Sequence, residues 1–259
     1  MAQGEFLWCD LATFGIDNML PTYQALFDWT FRSEEVLPGS IYFYANNATD
    51  VTAGIYEMPE DIRKDGLPSF WMSYVGVDDI IEGIDVVEAE GGRVIMGPVS
   101  FGMGASIAMI ADPDGAILTL FSGSHLQNRP RKMHHASHFW NDLFSHDLDR
   151  SCNFYTKLFR WKYEASDTDG IINVRNLAGS PTARIQALGD DTPSGDAPHW
   201  AVSFAADDLS VIEARCDMLK LSKTYAPGMD GTMRLCITDQ QGARFYVLPV
   251  DTRKVTWFT

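Results

Sequence analysis

The sequence predicts an α+β fold built twice, each copy holding two units of one strand, one helix and further strands. Three observations predict it. A block of seven residues recurs at one offset, apolar residues switch between alternating and three-and-four spacing along each copy, and turn-rich segments fall at matching places in both.

The repeat comes first because it fixes the architecture. Trp8, Asp10, Leu11, Tyr23, Leu26, Phe27 and Trp29 return as Trp140, Asp142, Leu143, Tyr155, Leu158, Phe159 and Trp161, each 132 positions later. Trp71 and Asp78-Asp79 return as Trp200 and Asp207-Asp208, and the Asp112 to Gly115 turn returns as Asp239 to Gly242, with small shifts expected of loops. Two domains are expected, at 5–122 and 137–250. Residues 123–136 between them are polar, basic and breaker-rich, and read as a linker.

In the first copy, Phe6 to Thr13 reads as a strand. Met19, Leu20, Tyr23, Leu26 and Phe27 carry the spacing of a helix face, and Pro21 requires that this helix start late, capped by Asp17 or Asn18. Ser40 to Tyr44 and Thr52 to Met58 follow as strands around Asn46-Asn47. The unit then restarts: Trp71 to Val77 is a strand, Asp78 or Asp79 caps a helix through Ile80, Ile84 and Val87, and Gly91-Gly92 ends it. Arg93 to Ile95, Ala105 to Ile110 and Ala116 to Phe121 complete the copy, the last entered through the Asp112-Pro-Asp-Gly115 turn. Gly97 to Gly104 reads as a glycine-rich loop. The second copy has the same order.

Composition narrows the function. Thirty-five acidic residues against twenty basic ones give a formal charge of −15, which disfavours nucleic acid and anionic membrane surfaces. No apolar run is long enough to span a bilayer and Met1 to Phe6 has no leader character, so a cytoplasmic protein is expected. Cys9, Cys152, Cys216 and Cys236 are scattered and read as reduced thiols. The His134-His135-x-x-His138 cluster lies at the linker's end and reads as a solvated connection.

The Tyr and Leu-Phe-x-Trp helices, the Val77-Asp78-Asp79 cap before a helix ending Gly-Gly, and Ala111-Asp-Pro-Asp-Gly115 before a last strand together resemble the vicinal-oxygen-chelate superfamily of glyoxalase and bleomycin-resistance proteins, in its tandem two-domain form. The resemblance implies four βαβββ units forming two open, curled mixed β-sheet barrels with helices outside. It also implies four metal-ligand positions per barrel. In this chain they fall at Trp8, Tyr56 or Glu57, Met72 and Thr119, and at Trp140, Gln186 or Ala187, Ala201 and Tyr246. Indole N–H only donates, and of the eight positions only Glu57 offers a good ligand. A site without metal or other cofactor is therefore expected.

Strand alternation puts Asp10 on the face of Trp8, and Asp142 on the face of Trp140. A carboxylate among aromatic rings suits a general acid or base, so Asp10, Asp142 and Glu57 are the catalytic candidates. The competing reading is a structural acceptor of buried N–H groups. Trp8, Met72, Tyr74, Thr119 and Phe121, with Trp140 and Tyr246, are the candidate ligand-binding wall. His199 is expected as a surface or satisfied core residue. The leading function is a metal-free binder of a small, largely apolar or aromatic molecule, as a monomer or homodimer. Behind it stand a metal-free lyase or isomerase using a cavity carboxylate, and a divalent-metal-dependent glyoxalase or dioxygenase whose ligands sit in a shifted register.

Overall fold

The computed structural model describes residues 3–37, 39–58, 60, 68–101, 104–123, 134–189, 192, 197–228 and 232–250; most of the expected linker, 124–133, lies outside them. The N-terminal copy runs β1 (Phe6–Thr13), α1 (Ile16–Phe27), β2 (Thr30–Leu37), β3 (Ser40–Asn46), β4 (Val51–Glu57), β5 (Phe70–Gly76), α2 (Ile80–Ala89), β6 (Arg93–Phe101), β7 (Ala105–Ala111) and β8 (Ile117–Ser122). The C-terminal copy repeats this as β9 (His138–Ser145), α3 (Leu148–Phe159), β10 (Lys162–Ala165), β11 (Ile171–Arg175), β12 (Pro181–Ala187), β13 (His199–Ala206), α4 (Leu209–Leu219), β14 (Ser222–Pro227), β15 (Met233–Thr238) and β16 (Arg244–Pro249).

Each copy is one open, curled eight-stranded sheet. Their orders, β2-β3-β4-β1-β5-β8-β7-β6 and β10-β11-β12-β9-β13-β16-β15-β14, are the same order written twice. Each contains two parallel pairs, β1 with β4 and β5 with β8, then β9 with β12 and β13 with β16. Trp8 and Trp140 take the same rung, paired across to Tyr74 and Ser203.

The local expectations hold with three corrections. Asp79 caps α2 by accepting from the N–H groups of Ile81 and Glu82 at 2.7 and 3.1 Å, and the Asp112 carboxylate closes its turn by accepting from Asp114, Gly115 and Ala116. The helix α1 starts earlier than Pro21 suggested, at Ile16, without a side-chain cap at Gly15 and with Pro21 on its exposed side. The strand β2, which completes the βαβββ unit, was not located in the sequence, because Thr30-Phe-Arg-Ser-Glu-Glu-Val carries no buried alternating face; it is an exposed sheet edge. Gly97 to Phe101, expected as loop, continues β6 through a register shift.

The helices lie on one face of each sheet, outside its curl, and these two faces pack on each other. Cores therefore cross between copies. Cys9, Leu11, Tyr23 and Phe27 join Phe204, Ile212, Phe245 and Val247 in one cluster, and Phe6, Val75 and Leu120 join Tyr155, Phe159 and Trp161 in the other. The repeated residues make each contact twice. Trp29 Nε1 donates to the Ala136 carbonyl at 3.0 Å and Trp161 Nε1 to the Gly4 carbonyl at 2.8 Å. Tyr23 and Tyr155 reach across to the turn carboxylates of Asp239 and Asp112, at 3.0 and 2.9 Å. Burial raises both carboxyls, and the hydrogen bonds they accept offset that cost. Among the described residues, no helix is long and apolar enough to cross a membrane.

Candidate functional site

Because the helix-bearing faces meet, the other face of each sheet points away from its partner and is the face free for a ligand. In the N-terminal sheet this face carries Trp8 and Asp10 on β1, Gly54 and Tyr56 on β4, Met72 and Tyr74 on β5, and Thr119 and Phe121 on β8. Pairing aligns them: Asp10 lies between Gly54 and Met72, and Tyr74 between Trp8 and Thr119.

Asp10 is nearly fully buried and accepts from three aromatic side chains. Trp8 Nε1 donates to Oδ1 at 2.5 Å, the Tyr42 hydroxyl also donates to Oδ1, and the Tyr74 hydroxyl donates to Oδ2 at 2.6 Å. Burial pushes the carboxyl from 3.8 up to about 6, against the pull of those three donors. Near neutral pH a fraction of it therefore holds a proton. Burial and the neighbouring Asp10 charge push the Tyr56 hydroxyl upward as well, so it stays protonated. The rings of Tyr42, Tyr56 and Tyr74 are half-buried, and Tyr42 stacks on Tyr56 at 6.4 Å. They form the half-buried surface of this face, with Asp10 behind them.

Gly54 makes this arrangement sterically feasible. A β-carbon there would lie 1.7 Å from the Tyr42 hydroxyl oxygen and 2.3 Å from Asp10 Oδ1. Only a hydrogen fits where Tyr42 crosses β4 to reach β1.

The C-terminal sheet resolves its aspartate differently. Asp142 is fully buried, but its partners are Arg184 Nε at 2.9 Å, Arg234 through Nη1, and Trp140 Nε1 at 3.3 Å. Burial alone would raise the carboxyl; the two guanidinium groups outweigh it and hold Asp142 well below the usual carboxylate range. It stays ionised and locked. Arg184 occupies the rung that Gly54 occupies in the first copy, so this position is one of those that separate a tyrosine-lined face from an ion-paired one. The Arg234 guanidinium lies over the Tyr246 ring at 3.8 Å.

Of the sequence candidates, Trp8, Asp10, Met72, Tyr74, Thr119 and Phe121 come together on one face, and Trp140, Asp142 and Tyr246 on the other. Glu57 joins neither. It is exposed, on the helix side of β4, where its carboxylate accepts from the Ile16 N–H at 3.1 Å at the start of α1. Alternation puts Tyr56 and Gln186 on the free faces, which settles the one-residue ambiguity in β4 and β12. His199 stacks on Phe144 at 4.9 Å with its Nδ1 2.6 Å from the Ala197 carbonyl, and burial lowers its pKa. Tyr42, Gly54, Arg184 and Arg234 were missed. Glycine inside a strand was the available signal for Gly54.

The positions implied for metal ligands thus hold Trp8, Tyr56, Met72 and Thr119 in one sheet and Trp140, Gln186, Ala201 and Tyr246 in the other. Neither set supplies a histidine or a carboxylate, so neither fits a divalent ion. Among the described residues, no three His, Cys, Asp or Glu side chains gather as a metal-holding group.

Fold and repeat define a class, and residues 5–120 match the sequence model of the Glyoxalase/Bleomycin resistance protein/Dioxygenase superfamily. The N-terminal copy is thus similar to that superfamily, and the C-terminal copy repeats its strand order. Among curated proteins it is 26% identical to the putative glyoxylase CFP32 of Mycobacterium tuberculosis, over 95% of each chain. It is also 26% identical to the anthracycline biosynthesis protein DnrV of Streptomyces peucetius, over 95% of this chain and 94% of that one. Among solved structures it shares its fold with the 2,3-dioxygenase LapB from Pseudomonas sp. KL28, with TM-score 0.61, 12% identity and coverage of 96% and 94%. The Mn(II)-bound glyoxalase from Novosphingobium aromaticivorans gives TM-score 0.60 at 14% identity, covering 95% of this chain and 82% of that one.

Proposed function

We propose that the free face of the N-terminal sheet binds a small, largely apolar or aromatic molecule without a metal, with the Tyr42, Tyr56 and Tyr74 rings as its wall and the Asp10 cluster as its polar contact. The observation that carries this reading is Asp10 itself, which accepts from Trp8, at one implied metal-ligand position, and from Tyr42 and Tyr74 beside it. An apolar surface with a few fixed polar groups is what such ligands require. One relative's name refers to anthracycline biosynthesis, which makes a hydroxylated polycyclic aromatic a sensible probe.

The test is a fluorescence and calorimetric titration of the purified chain with 1-naphthol and 1,8-dihydroxyanthraquinone, before and after chelator treatment. Saturable binding unchanged by chelator, and weakened about tenfold by Tyr42→Phe as one hydrogen bond is lost, is the expected result. Binding that disappears with the chelator would return the metal-dependent reading.

A second reading, acid–base catalysis of the lyase or isomerase type, is favoured by the position of the Asp10 carboxyl near 6. Asp10 would hold the proton and the Tyr42 or Tyr74 hydroxyl would pass it to the bound molecule. The same carboxyl makes a stability prediction. Its folded pKa is raised, so its contribution to stability is fully present below the unfolded value near 3.8 and is lost as pH rises through about 6. Urea unfolding at a series of pH values should show wild type losing on the order of 3 kcal/mol across that window relative to Asp10→Asn. Parallel curves for the two proteins would place the Asp10 pKa at its ordinary value.

A further inference from the structure

The free face of the C-terminal sheet carries more positive charge than it neutralises. Arg184 and Arg234 are 4% and 2% exposed, and among the described residues the ion pairs of both go to one carboxylate, Asp142. A buried cation without its own counter-charge is costly. The hydrogen-bonding capacity around it is also incompletely used. Arg184 Nη2, Arg234 Nε, Ser203 Oγ and Gln186 Nε2 are buried and have no hydrogen-bond partner.

These four groups share one face, with Arg184 beside Asp142, and Gln186 and Ser203 displaced by two residues to opposite sides of it. Arg184 is the β12 neighbour of Asp142, and Gln186 follows two residues later on the same face. On the other side Asp142 pairs with Ala201, with Ser203 two residues on. Arg234 reaches over the Tyr246 ring from β15 to the same carboxylate. Beside Asp142 the rung carries only the methyl group of Ala201, where the N-terminal sheet has Met72.

We infer that this face is a second binding site, which takes a small organic carboxylate. One negative charge balances two arginines against one aspartate. The unused Arg184 Nη2 and Arg234 Nε edges suit the planar geometry of a carboxylate, and the unpartnered Ser203 hydroxyl lies on the rung of Tyr246, the ring that Arg234 covers. Trp140 and Tyr246, both buried, supply an apolar wall for the body of the acid. The overall charge of −15 does not oppose this, because the surface carboxylates that produce it are screened by salt and the buried guanidinium groups are not.

The test is isothermal titration of the full chain with sodium acetate, sodium benzoate and sodium chloride at matched ionic strength. The expected result is saturable binding of one carboxylate per chain, tighter for benzoate, with chloride clearly weaker. Ser203→Ala, a small change that should leave the fold intact, should weaken it about tenfold, the equivalent of one hydrogen bond. Arg184→Gln should weaken it on the order of a hundredfold, as expected for a lost charge-assisted pair. Tyr42→Phe, on the opposite sheet, should leave it unchanged. Equal affinity for chloride would overturn the carboxylate assignment, and the absence of saturable heat would assign the four donors to ordered water. A loss on Tyr42→Phe with none on Ser203→Ala would move the acid to the N-terminal sheet.

Discussion

Replacing Asp142 by Asn should cost about 3–5 kcal/mol of stability at neutral pH, the largest effect expected of any single substitution on either free face. The change is nearly isosteric, so the loss is electrostatic. It leaves Arg184 and Arg234 buried with no carboxylate between them. For a chain of 259 residues the melting temperature should fall by roughly 10 °C, measurable by calorimetry. The pH dependence has the opposite sign to that of Asp10. Asp142 has a depressed folded pKa, so its stabilisation is present above the unfolded value near 3.8 and is lost as pH falls below it. Wild type should therefore weaken in acid across a range where Asp142→Asn does not. A variant within 1 kcal/mol of wild type at pH 7 would mean that the two arginines already hold another counter-charge.

Gly54→Ala should be the most damaging change to ligand binding. A β-carbon 1.7 Å from the Tyr42 hydroxyl oxygen cannot coexist with the Tyr42 to Asp10 hydrogen bond, and the neighbouring Asp10 Oδ1 leaves no room on the other side. Overpacking of this kind costs about 1–3 kcal/mol, so the fold should survive while the site does not. Binding of the aromatic probe should fall at least as far as in Tyr42→Phe, because the ring as well as the hydroxyl is displaced. With one donor gone, the Asp10 carboxyl should titrate above 6, which carbon-13 NMR of the side-chain carboxyl can follow. Unchanged binding and an unchanged Asp10 titration would show that Tyr42 has another route to the same place.

How much of this was legible in the sequence depends on whether a residue's partners lie in its own segment. The helix cap at Asp79 and the Asp112 turn are local chemistry, and both were readable. The repeat was readable because Tyr23, Trp29, Tyr155 and Trp161 perform two contacts, each in duplicate. Asp10 and Asp142 were found together but could not be told apart, since each recurs beside a tryptophan in the same strand pattern. What separates them comes from other strands: Tyr42 and Gly54 for one, Arg184 and Arg234 for the other. A strand register uncertain by one residue exchanges the two faces, and that is how Glu57 was taken for a cavity residue while Tyr56 held the place.

The crossed cores have a consequence for how the two faces came to differ. The interface between the copies is isologous in form: what the first gives the second, the second gives back. In a homodimer with that geometry, any substitution on a free face is made in both subunits at once, so both sites must always match. Joining the copies in one chain removes that obligation. Seats such as Tyr23 and Tyr155 remain bound by reciprocity, while the rung held by Gly54 in one sheet and Arg184 in the other is free to drift. Fusion is what permits a symmetric frame to carry two chemically unlike faces.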